Sequence, residues 1–194
     1  MSGHLAVIGL GPGDASCLTP EANAALTNAD AVYGYATYLE RLPARANQAR
    51  HASDNREERA RAAAALKHAS LGARIAIVSG GDPGVFAMAA AICEEIEAGP
   101  ENLRALDVTI VPGITAMLAV AARIGAPLGH DFCVLSLSDN LKPWELIERR
   151  LCDCTLQSHI AGAAMAVRRR RRTAAPSSAG VDAGHFRPRR DPAR

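Results

Sequence analysis

Two stretches rich in glycine and proline could contact a small molecule: residues 79–88 (SGGDPGVFAM) and residues 112–116 (PGITA). Each follows an apolar run rich in β-branched residues, and each precedes an alanine-rich helical pattern. In open α/β sheets, ligands bind at such strand-to-helix turns, outside the carboxyl ends of the strands. Together with a third glycine-rich stretch at residues 9–14 (GLGPGD), the pattern predicts a small-molecule site built from three turns.

The first turn, residues 9–14, ends in the carboxylate of Asp14. It differs from the dinucleotide fingerprint G-x-G-x-x-G, because Asp14 replaces the third glycine and a proline lies inside the loop. A negative side chain at that position disfavours a pyrophosphate. The stretch is therefore either a simple tight turn or a loop whose backbone and Asp14 face a ligand without phosphate.

The second and third turns also allow a purely structural interpretation. Residues 81–84 could form only a β-turn in which Asp82 caps the following helix, and Thr115 could simply cap the helix after the third turn. Alternatively, Asp82 accepts hydrogen bonds from ligand hydroxyls or an amine, while Thr115 binds an adenosine or a carboxylate. Pro83 fixes one dihedral angle, and the glycines allow a ligand to approach the backbone closely.

Two further groups of residues are candidates for binding. Tyr35 and Tyr38, two of only three tyrosines, either pack in the interior or border a flat aromatic ligand. Cys152, Cys154 and His159 lack the second pair of ligands that a structural zinc site requires, so no metal is expected.

The elements that must position these turns alternate between strand and helix. Strands are predicted at residues 5–8, 31–34, 74–79, 107–111 and 132–137. Helices are predicted at residues 20–28, 57–70, 85–98, 115–124 and 143–150. This alternation predicts an α/β fold with a mostly parallel sheet and helices on both faces.

The composition of the 194 residues, 48% hydrophobic and 22% charged, is typical of a soluble globular protein. No apolar run reaches the roughly 18 to 20 residues that a membrane span requires. The first residues do not resemble a signal peptide. Five scattered cysteines indicate a reducing compartment without disulfides, and therefore a cytoplasmic protein.

The charge changes sign along the chain near residue 151. Residues 1–151 carry 13 Lys+Arg against 17 Asp+Glu, a formal charge of −4, whereas residues 152–194 carry nine Arg against three Asp, a charge of +6. Five consecutive arginines at 168–172 and the loss of periodicity predict a disordered tail over 168–194. A basic tail could bind nucleic acid, but no base-reading module accompanies it, so no nucleic-acid partner is expected.

The motifs, in this order, resemble the tetrapyrrole (corrin/porphyrin) methylase family. The matching segments are residues 7–14 (VIGLGPGD), 18–22 (LTPEA), 34–38 (GYATY), 81–84 (GDPG) and 112–116 (PGITA). A finer match to the branch that methylates C17 of precorrin-3B rests on residues 85–89 (VFAMA), 125–132 (GAPLGHDF) and 136–145 (SLSDNLKPWE). The resemblance covers about residues 4–151.

This resemblance implies methyl transfer from S-adenosyl-L-methionine to C17 of precorrin-3B, with contraction of the macrocycle, in cobalamin biosynthesis. It also implies two α/β domains and a homodimer, with no membrane partner. Another precorrin or uroporphyrinogen methylase is the alternative within the family. An inactive, truncated remnant or a basic-tailed binding module is the alternative outside this enzymatic role.

The family pattern also assigns roles to individual residues. It implies that the cofactor is bound by Gly81, Asp82, Pro83, Val85, Phe86, Met88, Thr115 and Ala116. It implies that the tetrapyrrole is bound by Pro12, Gly13 and Tyr35. Asp14 is the candidate catalytic residue, as proton acceptor.

The sequence departs from the family pattern in two places. Gly80 stands where the family often has serine. After Leu151 the family continues into a second domain, whereas here the composition resembles out-of-frame reading of a GC-rich gene. We therefore expect an amino-terminal domain at 1–151, an aberrant tail at 152–194, a missing second domain, and a chain of weak or no activity.

Overall fold

The computed structural model describes residues 3–129, 132–137 and 142–157. The chain divides into two compact units, Met1–Ala116 and Met117–Arg194. The predicted tail at 168–194 lies outside the described residues. The expected domain boundary at residue 151 stays a prediction.

The first unit contains a five-stranded sheet in which every neighbouring pair of strands is parallel. The strands are β1 (His4–Gly9), β2 (Ala31–Tyr35), β3 (Ala49–Ser53), β4 (Arg74–Ser79) and β5 (Asp107–Val111). Their order is β3-β2-β4-β1-β5, so β4, β1 and β5 lie side by side. The predicted parallel sheet is confirmed, and it brings the carboxyl ends of these three strands to one edge.

The helices of the described residues follow the strands in the predicted alternation. They are a short 3-10 turn (Ala15–Cys17), α1 (Pro20–Asn28), α2 (Ala36–Glu40), α3 (Glu58–Ser70), α4 (Met88–Ala98), α5 (Glu101–Arg104), α6 (Ala116–Ile124) and α7 (Trp144–Gln157). At the start of α1 the Thr19 hydroxyl accepts the Ala22 amide at 3.1 Å, as an N-cap should. None of the helices in these ranges is both long enough and apolar enough to cross a membrane.

The strand side chains alternate between two apolar layers, one on each face of the sheet. Leu5 and Val7 of β1 pack with residues of α3 and α4, whereas Ala6 and Ile8 pack with residues of α1 and α2. Because successive residues of a strand point to opposite faces, a strand buried on both sides must be apolar throughout. The predicted helices on both faces are therefore confirmed.

The assignment of strands needs two corrections. The sequence pattern misses β3, an edge strand whose residues 49–52 are exposed, so it carries no hydrophobic alternation. The predicted strand at 132–137 is wrong, because these residues have no regular structure and pair with no strand among the described residues. Phe132 is 44% exposed and Val134 is 36% exposed, so these apolar side chains are not buried in a sheet among the described residues.

The expectation that all cysteines are free is also wrong. Cys133 and Cys154 form a disulfide within the second unit, and their Cα atoms are 6.4 Å apart. The two residues are 21 positions apart in sequence, so only the path of the chain brings them within bonding distance. Cys17 and Cys93 are free thiols.

At the amino ends of β2 and β4, Asp30 and Arg74 form an ion pair that makes stability depend on pH. Arg74 donates to Asp30 through its side chain at 2.7 Å and through its backbone amide at 2.9 Å. These bonds lower the pKa of Asp30, the side-chain bond most. The folded state therefore favours the ionised carboxylate, and its contribution to stability is present above the unfolded pKa and disappears as pH falls through the folded pKa.

We expect the free energy of unfolding to fall more between pH 7 and pH 3 in the wild type than in Asp30→Asn. The difference should be small, because both side chains are more than a third exposed. Urea unfolding at the two pH values measures it. Equal losses in both proteins would contradict the role assigned to this pair.

Candidate functional site

The three predicted turns lie together at the carboxyl edge of the sheet. They follow β1, β4 and β5, which are neighbours in the sheet. Between the first two turns, Gly11 and Gly81 exchange backbone hydrogen bonds of 3.1 and 2.8 Å. Both glycines have positive φ angles, +72° and +70°, which other residues rarely adopt.

The turns approach so closely that backbone touches backbone. A Cβ added to Gly113 would lie 2.9 Å from the Cα of Gly9 and still closer to the carbonyl oxygen of Gly81. A Cβ added to Gly9 would lie 2.7 Å from the Gly113 nitrogen. Glycine is therefore needed at Gly9 and Gly113 by contact between neighbouring turns, and the second turn contributes the Gly81 carbonyl oxygen that both of them approach.

The carboxylate of Asp82 links the second turn to the third. One oxygen accepts the Gly84 amide at 2.8 Å, and the other accepts the Gly113 amide at 2.9 Å. The side chain is thus bonded within its own turn and also across to the turn that follows β5. Of the two interpretations of this residue, a backbone-binding role is the one visible in the structure.

The helix after the second turn begins at Met88 instead of the predicted Val85. Phe86 has a φ angle of +51°, which is outside the helical region and prevents the helix from beginning earlier. Phe86 as a whole residue is 64% exposed. Pro83 is fully buried and its carbonyl accepts the Ala89 amide at 2.9 Å, which anchors the turn to the start of α4.

The side chain of Met88 points into the core. It is only 4% exposed, and its sulfur accepts a hydrogen bond of 3.4 Å from Arg61. Arg61 is itself 5% exposed and also donates to the Ser53 hydroxyl at 2.7 Å and to the Asp54 carbonyl at 2.6 Å. Arg61 is not predicted from the sequence, because the charged residues at the start of this alanine-rich helix, Arg59 among them, have the pattern of a solvated face.

The loop after β1 exposes the residues proposed to meet the substrate. Pro12, Gly13 and Asp14 are all exposed. The Asp14 carboxylate accepts the backbone amide of Ser16 at 2.8 Å and its hydroxyl at 2.7 Å. Asp14 therefore caps the short 3-10 turn Ala15–Cys17, which fixes the direction of its side chain.

Tyr35 and Tyr38 lie at the carboxyl end of β2, beside the turn of β4. Their rings meet edge to face with centroids 5.4 Å apart, and the Arg41 guanidinium lies 5.6 Å from the Tyr38 ring centre. A Cβ on Gly80 would come within 2.9 Å of the Tyr38 ring. Tyr38 thus occupies the space that a side chain at position 80 would need, which accounts for glycine there.

Thr115 and Ala116 stand opposite the second turn. A Cβ added to Gly81 would lie 3.7 Å from the Ala116 nitrogen and 3.8 Å from the Thr115 Cα. Thr115 is half-buried and Ala116 is exposed. The structure therefore brings together Gly81 and the two residues of the third turn that the family pattern singles out.

The possible metal site receives no support in the described part of the chain. Cys154 is bonded to Cys133, and His159 lies outside the described residues. No group of three or more His, Cys, Asp or Glu side chains suited to a metal occurs in the ranges given above. The arginine run at 168–172 also lies outside these ranges.

Comparison with known proteins supports the resemblance found in the motifs. The profile of the Tetrapyrrole (Corrin/Porphyrin) Methylases matches residues 4–182. A precorrin-3B C(17)-methyltransferase of Sinorhizobium sp is 61% identical over 151 residues, which are 78% of this chain and 59% of that protein. The crystal structure of the methyltransferase CobJ is 53% identical with a TM-score of 0.73, covering 77% of this chain and 62% of that one.

A more distant structure shows a ligand. The uroporphyrin-III C-methyl transferase of Thermus thermophilus, complexed with S-adenyl homocysteine, is 27% identical with a TM-score of 0.50. The match covers 66% of this chain and 54% of that one. The chain thus spans about three fifths of the length of its two more similar relatives. From the family profile and the 61% identical relative, this chain belongs to the tetrapyrrole (corrin/porphyrin) methylases.

Proposed function

We propose that this chain serves S-adenosyl-L-methionine-dependent methylation of C17 of precorrin-3B, with contraction of the macrocycle, in cytoplasmic cobalamin biosynthesis. The observation that carries the proposal is the contact of three glycine turns at one edge of a parallel sheet. The finer assignment to C17 draws on the 61% identity to a relative of that name. The 27% identity to a uroporphyrin-III methylase supports the alternative acceptor less well.

The second and third turns suit a cofactor that approaches the backbone closely. Gly81 has no side chain and a positive φ, and a Cβ there would occupy the space facing Thr115 and Ala116. We assign Gly81, Asp82, Pro83, Val85 and Phe86, with Met88, Thr115 and Ala116, to this cofactor region. Met88 would contribute through its backbone, since its side chain is buried.

The bound cofactor supplies an electrophilic methyl group on a sulfonium. The residues of this chain therefore have mainly to align the accepting carbon with that group, and alignment can account for a large share of a rate enhancement. Pro12, Gly13 and Tyr35 line the side proposed for the flat macrocycle. Transfer of the methyl group would leave S-adenosyl homocysteine and add one positive charge to the macrocycle, which must then lose a proton. Asp14, held by Ser16, is the group that we assign to accept this proton.

The test is methyl transfer from cofactor labelled with ¹³C in its methyl group to precorrin-3B. The proteins compared are the 194-residue chain and the product of the gene with its frame restored after codon 151. In the restored protein we expect label at C17 of a ring-contracted product. Label at another carbon would favour the alternative precorrin methylase, and no label in either protein would overturn the proposal.

Asp14→Asn should lower the rate of methylation in the restored protein by about 100-fold or more, because it removes the proton acceptor. Cofactor affinity should stay unchanged. Glu21→Gln is the matched control, since Glu21 is an exposed carboxylate in the first turn of α1. An Asp14→Asn protein with the activity of the wild type would refute the role of Asp14.

The tail and the oligomeric state complete the proposal. We propose that residues 152–194 are an aberrant segment, on the change of composition at that point. Sequencing the DNA around codon 151 and measuring the protein mass test this, and an intact frame with a matching mass would refute it.

We expect the restored protein to be a homodimer by light scattering after size-exclusion chromatography.

A further inference from the structure

The carboxylate of Asp82 is the side chain that joins two of the three turns. It lies directly after Gly81, at the end of β4, and it is half-buried. Its two bonds go to backbone amides that are 29 residues apart in sequence, those of Gly84 and Gly113. A carboxylate that accepts two amides forms stronger bonds than a neutral acceptor would.

The link between the first and second turns does not depend on any side chain. Gly81 and Gly11 are joined through their backbones, so substitution of neighbouring side chains leaves those donors and acceptors in place. By contrast, the Gly113 amide donates its hydrogen bond to the carboxylate of Asp82. Gly81 and Asp82 together therefore connect the second turn to the first and to the third.

From this geometry we infer that Asp82 is a positioning residue, which sets the separation of the second and third turns instead of contacting the ligand through its carboxylate. A ligand that touches both turns at once, near Gly81 on one side and Thr115 and Ala116 on the other, depends on that separation. The expected effect on cofactor binding rests on the proposed function. The expected effect on the separation of the turns rests only on the hydrogen bonds described above.

Asp82→Asn is the sharpest variant for this inference. The side chain keeps its size, and its oxygen can still accept one amide, but its NH₂ group cannot accept the second. Asp107→Asn is the matched control, because it removes the same charge from an exposed residue at the opposite end of β5. Asp82→Glu keeps the charge but moves the carboxylate by one methylene.

The first measurement is hydrogen exchange of the Gly113 amide by NMR in the ligand-free chain. We expect protection of this amide to fall about tenfold or more in Asp82→Asn and to be unchanged in Asp107→Asn. Unchanged protection in Asp82→Asn would overturn the inference. This result does not depend on the identity of any ligand, so it separates the positioning role from the proposed function.

The second measurement is titration with S-adenosyl homocysteine, followed through the amide resonances of Gly81 and Ala116. It is made at a temperature at which circular dichroism shows every variant folded, so a purely structural loss does not contribute. We expect about tenfold weaker binding in Asp82→Asn, a partial recovery in Asp82→Glu, and wild-type binding in Asp107→Asn. Wild-type affinity in a folded Asp82→Asn chain that has lost Gly113 protection would refute the positioning role. Absence of binding in the wild type would count against the proposed function alone.

Discussion

Gly113→Ala should lower the free energy of unfolding by about 3 kcal/mol. Its new methyl group would lie 2.9 Å from the Cα and the carbonyl carbon of Gly9, and closer still to the carbonyl oxygen of Gly81. All of these atoms belong to backbone, so no side-chain rotation can relieve the clash. Urea unfolding followed by circular dichroism measures the loss.

Gly129→Ala is the control for this substitution, because a Cβ built at Gly129 would have no atom within 4 Å apart from those of its own residue and its two chain neighbours. It should change stability by less than about 0.5 kcal/mol. If Gly113→Ala unfolded at the same urea concentration as the wild type, that result would contradict the close backbone contact between the turns. S-adenosyl homocysteine binding to Gly113→Ala should also be weaker, since the turns must separate to accept the methyl group.

Arg61→Ala is expected to destabilise the protein by a similar amount, about 3 kcal/mol. The variant removes three hydrogen bonds and leaves the Ser53 hydroxyl and the Asp54 carbonyl without this donor. Burial also lowers the pKa of Arg61, because desolvation disfavours the charged guanidinium. The three bonds must compensate that cost, so Arg61→Lys, which cannot reproduce their geometry, should be intermediate in stability.

Arg59→Ala provides a matched control on the same helix. Its side chain is 74% exposed and pairs with Glu95 at 2.9 Å on the surface, so its loss should cost at most about 1 kcal/mol. Thermal unfolding of the three variants gives the comparison. Equal stabilities of Arg59→Ala and Arg61→Ala would show that the buried arginine does not hold the loop after β3 against Met88.

Much of the site was predictable because local signals specified it. The runs at 74–79 and 107–111 are apolar and bounded by glycine and proline, which is typical of buried strands followed by turns. Thr19 and Pro20 mark the start of α1 through capping chemistry that acts within four residues. Such signals need no knowledge of distant parts of the chain.

The errors occur where the structure depends on a partner elsewhere. β3 is a strand because β2 offers it hydrogen bonds, although its own residues are exposed. Residues 132–137 are apolar but join no strand among the described residues. A strand is satisfied only by a neighbour, so its sequence cannot by itself decide whether one is present.

The sequence by itself determined three glycine turns after apolar strands, the parallel α/β class and membership of the family. Only the tertiary structure decided that Asp82 binds the Gly113 amide, that Tyr38 covers Gly80, and that Arg61 reaches Met88. The physical reason is the separation in sequence over which each kind of interaction acts. Turn and cap preferences act over a few residues, whereas these contacts join residues 27 to 42 positions apart and exist only once the sheet has set its strand order.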